Sequence, residues 1–321
     1  MRKIVTIGGG TGTFVVLSGL RRLPGVSLTA IVSAADDGGS TGHLRDAYGF
    51  LPAGDARQAL VALAEDGSIL RDLFAYRFTK SDVAGHNLGN LFITALEDLL
   101  GSGVKALEEA SRVLRIEGRV IPATQTGATL AARFEDGTEE VGQCAIELAT
   151  DIHGRIKELS LTEPMPLTPP AVAAIKEADL IVLGPGSLYT STIAALLPEG
   201  MQSALAASTA TLVYVSNLFT NKGETDGYRA SEHVAEAERY AGRTFDRVFM
   251  HAGTFAPEVR AWYAKEREYP VVDDMEHDPR VTRLPLASAV AVRPVAHDPI
   301  RRSLIRHDPE KIAAAIATAL P

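Results

Sequence analysis

The chain has 321 residues, 46% of them hydrophobic and 22% charged, which supplies a large buried core and suits a single α/β domain over 1–321. A formal charge of −8 argues against bulk binding to nucleic acid or to an anionic membrane. One cysteine, Cys144, excludes an intramolecular disulfide, and no apolar run nears the roughly 18 residues of a membrane span.

The apolar start Met1–Ile7 is too short for a signal peptide, so a soluble, cytoplasmic protein is expected. The β-branched run Ile4–Ile7 leads into Gly8, Gly9, Gly10, Thr11 and Gly12, then into a helical segment, Phe14–Leu23. A strand that ends in glycines before a helix builds an anion cradle, because backbone N–H groups approach a phosphate and the helix N-terminus adds positive partial charge. The dinucleotide pattern G-x-G-x-x-G fails, since Thr13 and Val15 occupy its last position, and no Gly-Lys-Ser/Thr completes a P-loop.

The second strand, Leu28–Ser33, leads to Asp36, Asp37, Gly38 and Ser40. Acids at that place hold a ribose hydroxyl or, with Asp55, a Mg²⁺ ion; a solvated loop is the plain alternative. Asp55 precedes a helix over Ala56–Ala64 and suits its N-cap, whereas Arg57 in the first turn opposes the helix dipole and points to an anion. The helix Leu88–Leu100 places Asn90 to bond a base or a sugar, or else simply starts on an Asn87 cap. A further helix covers Val104–Arg115.

The segment Arg119–Thr162 reads as an antiparallel insertion, with strands Ala128–Phe134 and Glu139–Ile146 about a Glu135–Thr138 turn. Cys144 within it is expected to be a small buried hydrophobe. Beyond it come a helix over Pro169–Ala178 and a strand, Leu180–Leu183, that ends in Gly184, Gly186 and Ser187. The strand Thr211–Val215 leads to Asn217 and the polar loop Gly223–Tyr228; helix Ser231–Ala241, strand Arg247–Met250 and helix Pro309–Leu320 follow. Apolar strands alternating with helices give a parallel sheet covered on both faces, with ligands beyond the carboxyl ends of its strands. The eight histidines form no zinc spacing, and Ser187 lies outside any G-x-S-x-G elbow.

Taken in order, Ile7–Gly12, Ala35–Ser40, Pro52–Arg57, Gly85–Asn90, Gly184–Ser191 and Gly223–Tyr228 resemble the gluconeogenesis factor family, a branch of the superfamily that includes the 2-phospho-L-lactate transferases of deazaflavin coenzyme synthesis. The resemblance implies a three-layer, Rossmann-like fold with a mainly parallel sheet. It also implies binding of UDP-N-acetylglucosamine and a role in cell shape on gluconeogenic carbon sources. It maps an aromatic and a basic residue for the UDP-sugar onto Tyr263 and Arg306, where a ring can stack on uracil and a guanidinium can clamp a diphosphate. The chain departs from the family pattern at His43, Gln58 and Ala194-Ala195.

Three readings follow. In the first, a non-catalytic regulator binds a nucleotide-sugar through Gly9, Gly10, Thr11, Gly12, Asp36, Asp37, Gly38, Ser40, Asp55, Arg57, Asn90, Gly184, Gly186, Ser187, Asn217, Tyr263 and Arg306. In the second, a Mg²⁺-dependent transferase uses Asp36, Asp37 and Asp55 as metal ligands and Asp37 or Asp55 as the base. In the third, NAD occupies the cradle. No cofactor is required by the first reading, and a homo-oligomer and a regulatory protein partner are left open.

Overall fold

The computed structural model describes residues 1–38, 41–42, 44, 50–289 and 304–321, the side chain at 151 excepted. Ser40, among the expected ligand residues, lies outside them. The described strands are β1 (Arg2–Gly8), β2 (Val26–Val32), β3 (Arg119–Pro122), β4 (Leu130–Phe134), β5 (Glu139–Val141), β6 (Ile156–Leu161), β7 (Leu180–Leu183), β8 (Thr211–Val215), β9 (Arg247–His251) and β10 (Val281–Leu284). The described α-helices are α1 (Gly10–Leu20), α2 (Ala53–Leu63), α3 (Ile69–Ala75), α4 (Leu88–Leu100), α5 (Gly103–Leu114), α6 (Gln143–His153), α7 (Pro169–Glu177), α8 (Met201–Ala207), α9 (Ala230–Ala241), α10 (Pro257–Lys265) and α11 (Pro309–Ala317).

Seven strands form one parallel sheet in the order β10-β9-β8-β7-β1-β2-β3. Alternation along each strand divides its side chains between two cores. Val5, Ile7, Ile181 and Leu183 face the cluster shared with α7–α9 and the small antiparallel sheet. Ile4, Leu180 and Val182 face the cluster with α1, α2, α5 and α11. The result is the three-layer α/β architecture expected from the continuous apolar strands.

The central strand β1 pairs with β2 on one side and β7 on the other, with Ile4 opposite both Leu28 and Leu180. Chain order reverses there, which makes the carboxyl end of β1 the topological switch point. The insertion differs from its reading in two respects. Its first strand, β3, belongs to the main sheet as a parallel edge, and the antiparallel part is the sheet β5-β4-β6. The expected second hairpin strand also stops at Val141, where Gly142 turns the chain into α6. The alternating apolar residues of 139–146 fit a strand until Ile146 and Ala149 pack under the helix instead.

Candidate functional site

Gly8–Gly12 and Gly184–Ser187 lie side by side at the switch point. Gly10 adopts φ 64°, a left-handed conformation that glycine takes without steric cost. A Cβ on Gly12 would overlap the Pro185 carbonyl and stand 2.7 Å from Gly186 N, so the two turns meet backbone to backbone. The Asn217 side-chain amide donates to the Gly186 carbonyl at 2.7 Å and accepts the Tyr214 hydroxyl at 3.1 Å. Asn221 donates to Ser187 Oγ at 2.7 Å. Two asparagines from the loop after β8 therefore hold the second turn in place.

Asp55 sits over the first turn. The helix that carries it starts at Ala53 with Pro52 at the N-cap, so Asp55 is a first-turn residue and not the cap, and Arg57 falls in the second turn. Proline suits this boundary because its fixed φ costs the helix start nothing. The Asp55 carboxylate reaches across to accept the Gly10 N–H at 2.8 Å, and a Cβ on Gly9 would overlap it. Asp36 lies beside it, accepting the Gly38 N–H at 2.9 Å; Gly54 leaves room for Asp36 and for Thr41. Burial, then repulsion from Asp36, raises Asp55 to about 7, while the Gly10 N–H and Arg57 act the other way. Burial also raises Asp36, and the charge of Asp37 adds to the shift. Arg57 donates through Nε to Asn90 Oδ1 at 2.9 Å, and Asn90 donates to Thr41 Oγ1 at 3.3 Å. Asn87 also caps α4 through the Asn90 N–H.

Asp37 is directed elsewhere. Its carboxylate accepts the N–H groups of Gln143 at 2.7 Å and Cys144 at 3.0 Å, capping α6 across the fold. It thus joins the site loop to the antiparallel insertion and is not part of the Asp36–Asp55 pair. Cys144 is exposed rather than buried, because the first turn of α6 points it outward. Burial on its inner side and a hydrogen bond to Asp37 push the thiol up to about 12.

The two residues that the resemblance maps for the UDP-sugar are Tyr263, on α10, and Arg306, just before α11. Tyr263 is 2% exposed; its ring stacks on Phe219 at 3.8 Å and its hydroxyl bonds both backbone groups of Ile305. In this arrangement Tyr263 is a core residue that fixes the Ile305–His307 segment, and its ring is not offered to a base. Arg306 is half-buried, and its carbonyl accepts the Ser288 N–H at 2.8 Å. Beside it, burial and the neighbouring His251 push His307 down to about 3, which keeps it neutral.

Sequence reasoning missed Glu224. It is 3% exposed and accepts the N–H groups of Tyr189 and Thr190 at 3.0 and 3.3 Å and the Thr190 hydroxyl at 2.7 Å. Burial first, then Glu147, raises it to about 7. A glutamate set among Gly223 and Thr225 in a polar loop gives no periodic signal of burial.

Across the chain, the 2-phospho-L-lactate transferase CofD family model matches residues 4–289. The chain belongs to this family. Within it, the chain is similar to proteins named gluconeogenesis factor. One from Halalkalibacterium halodurans is 39% identical over 324 residues, covering 100% of this chain and 97% of its own. A provisionally named gluconeogenesis factor from Thermotoga maritima is 42% identical over 98% of both chains. The crystal structure of a UPF0052 family member from Bacillus halodurans superposes with a TM-score of 0.90 at 37% identity, covering 98% of this chain and 99% of that one. Family membership therefore extends over the main sheet, both glycine turns and the Asp36–Asp55 pair. No helix among the described residues is long and apolar enough to cross a membrane.

Proposed function

We propose that the chain is a gluconeogenesis factor that binds a nucleotide-sugar, UDP-N-acetylglucosamine, beyond the carboxyl ends of β1, β2, β7 and β8, and so acts in the cytoplasm in cell morphogenesis on gluconeogenic carbon sources. The observation that supports this most is the close contact of two glycine turns at the switch point beside two half-buried carboxylates. The first-turn N–H groups of a helix lack intrahelical partners, and that of Gly10 is taken by Asp55. A diphosphate on this turn takes those of Thr11 and Gly12, with Arg57 offsetting its charge. Asp36 and Asp55 then accept sugar hydroxyls, which carboxylates do through strong charge-assisted bonds.

The Asp36–Asp55 repulsion supports a second reading, a transferase that works with Mg²⁺. Two carboxylates suit Mg²⁺, which commonly binds one or two together with substrate phosphates and water. Asp36 and Asp55 would hold it, without Asp37, and it would offset phosphate charge when bound. Asp55 would then also serve as the base toward an acceptor hydroxyl.

A thermal-shift panel with UDP-N-acetylglucosamine, GDP, NAD and Mg²⁺ separates the readings. A ligand at 100 times its dissociation constant stabilises the fold by about 2.7 kcal/mol. The expected result is a shift with UDP-N-acetylglucosamine in the absence of Mg²⁺. A shift with GDP that needs Mg²⁺ favours the transferase, and a panel in which only NAD acts defeats both.

A further inference from the structure

Glu97, near the end of α4, is a buried acid that neither reading of the site uses. It is 6% exposed, and its carboxylate accepts the Leu51 N–H with Oε2 at 3.1 Å and Oε1 at 3.3 Å. Leu51 is 7% exposed, so both partners are shielded from water, and a buried donor or carboxylate is costly when left unpaired. A Cβ on Gly103 would overlap Leu51 Cδ1 and stand 3.1 Å from Glu97 Oε1, so the first residue of α5 leaves room for both. The Leu51 side chain also lines an apolar gap with Val32, Ala34, Ile93 and Leu107.

The segment that Glu97 holds leads straight into the site. Leu51 is followed by Pro52, the N-cap of α2, which supplies no side-chain cap, so no capping bond of its own fixes the helix start. That first turn also works against a load. A Cβ on Gly54 would overlap Asp36 Oδ2, and repulsion between the Asp36 and Asp55 carboxylates pushes the turn outward. Helix α4 grips α2 at two points against this. Asn90 Oδ1 accepts the Arg57 Nε–H at 2.9 Å, and Glu97, seven residues along and so on the same helix face, takes the Leu51 N–H just before α2 begins.

We propose that Glu97 is a positioning residue: through Leu51 and Pro52 it fixes the start of α2, and so holds Asp55 on the Gly10 N–H and beside Asp36. Glu97 itself touches no ligand. Its effect on ligand affinity rests on the nucleotide-sugar reading, whereas its effect on the 2.8 Å bond between the Gly10 N–H and Asp55 does not.

The test compares wild type, Glu97→Ala, Glu97→Gln and Leu114→Ala as full chains, with circular dichroism as the check on folding. Leu114, 3% exposed at the end of α5, serves as a core truncation that lowers stability but leaves the Glu97–Leu51 bond in place. Hydrogen exchange at the Gly10 amide is expected to be at least about tenfold faster in Glu97→Ala, where the Leu51 N–H has lost its acceptor. It should return to the wild-type rate in Glu97→Gln, whose amide oxygen accepts the same bond. Isothermal titration with UDP-N-acetylglucosamine should follow the same order, with affinity about tenfold weaker in Glu97→Ala and restored in Glu97→Gln. Unchanged Gly10 exchange in a folded Glu97→Ala, no recovery in Glu97→Gln, or equal acceleration in Leu114→Ala overturns the proposal. A wild type that binds no UDP-N-acetylglucosamine defeats the nucleotide-sugar reading instead, and the exchange rates then decide the role of Glu97 alone. If Glu97→Ala loses its folded spectrum, Glu97→Leu, which fills the space without an acceptor, replaces it and carries the same expectation.

Discussion

Three acids, Asp55, Asp37 and Glu224, each accept backbone N–H groups from a turn or helix start far away in sequence. Glycine turns are legible in a sequence because glycine is needed for a left-handed or close-packed backbone, as at Gly10 and Gly12. The acids that complete them are not, since each partner comes from another strand end. Glu224 gives the cleanest consequence. Its pKa in the fold is raised from 4.5 to about 7, so the native state holds its proton more tightly than the unfolded chain. This group's contribution is intact below pH 4.5, and stability falls as pH rises from 4.5 through 7. Glu224→Gln copies the protonated acid and cannot ionise. Urea unfolding should find the variant equal to wild type near pH 4.5 and more stable by about 2–3 kcal/mol above pH 7. A gap that does not change with pH would contradict this.

At the scale of elements, strand identity was plain wherever a β-branched run met a polar stop, as in β7 and β8, whose bounds match the reading. The insertion was less legible. β3 is short and falls within the stretch read as an antiparallel insertion, and its parallel pairing with β2 makes it an edge of the main sheet. The segment 143–153 carries strand-like alternation at its start, but Gly142 with φ 96° and the Asp37 cap turn it into a helix. Asp37 is therefore a long-range N-cap. Asp37→Ala should leave the N–H groups of Gln143 and Cys144 without an acceptor and destabilise α6 by about 1–2 kcal/mol. Hydrogen exchange should show faster exchange across 143–147 with β4 and β6 unchanged; equal protection in α6 would remove the assigned role.

At the scale of the molecule, the order of the sheet does the positioning. β1 between β2 and β7 brings residues 8–12, 36 and 184–187 together although they are up to 179 positions apart. That convergence was readable from the repeated strand-stop-helix pattern. The placement of Tyr263 was not, because a half-apolar helix such as α10 does not reveal which aromatic its neighbours will cover. Phe219, from the loop after β8, stacks on the Tyr263 ring at 3.8 Å. The proposed nucleotide-sugar site accordingly centres on the carboxylate pair and the glycine turns. The most direct measurement is isothermal titration of UDP-N-acetylglucosamine into the full chain, wild type and Asp36→Ala. Saturable one-to-one binding is expected, weakened at least about tenfold in Asp36→Ala, the effect of losing a hydrogen bond to a charged group, with the variant still folded. No heat with the wild type, or equal affinity in the folded variant, would contradict the account.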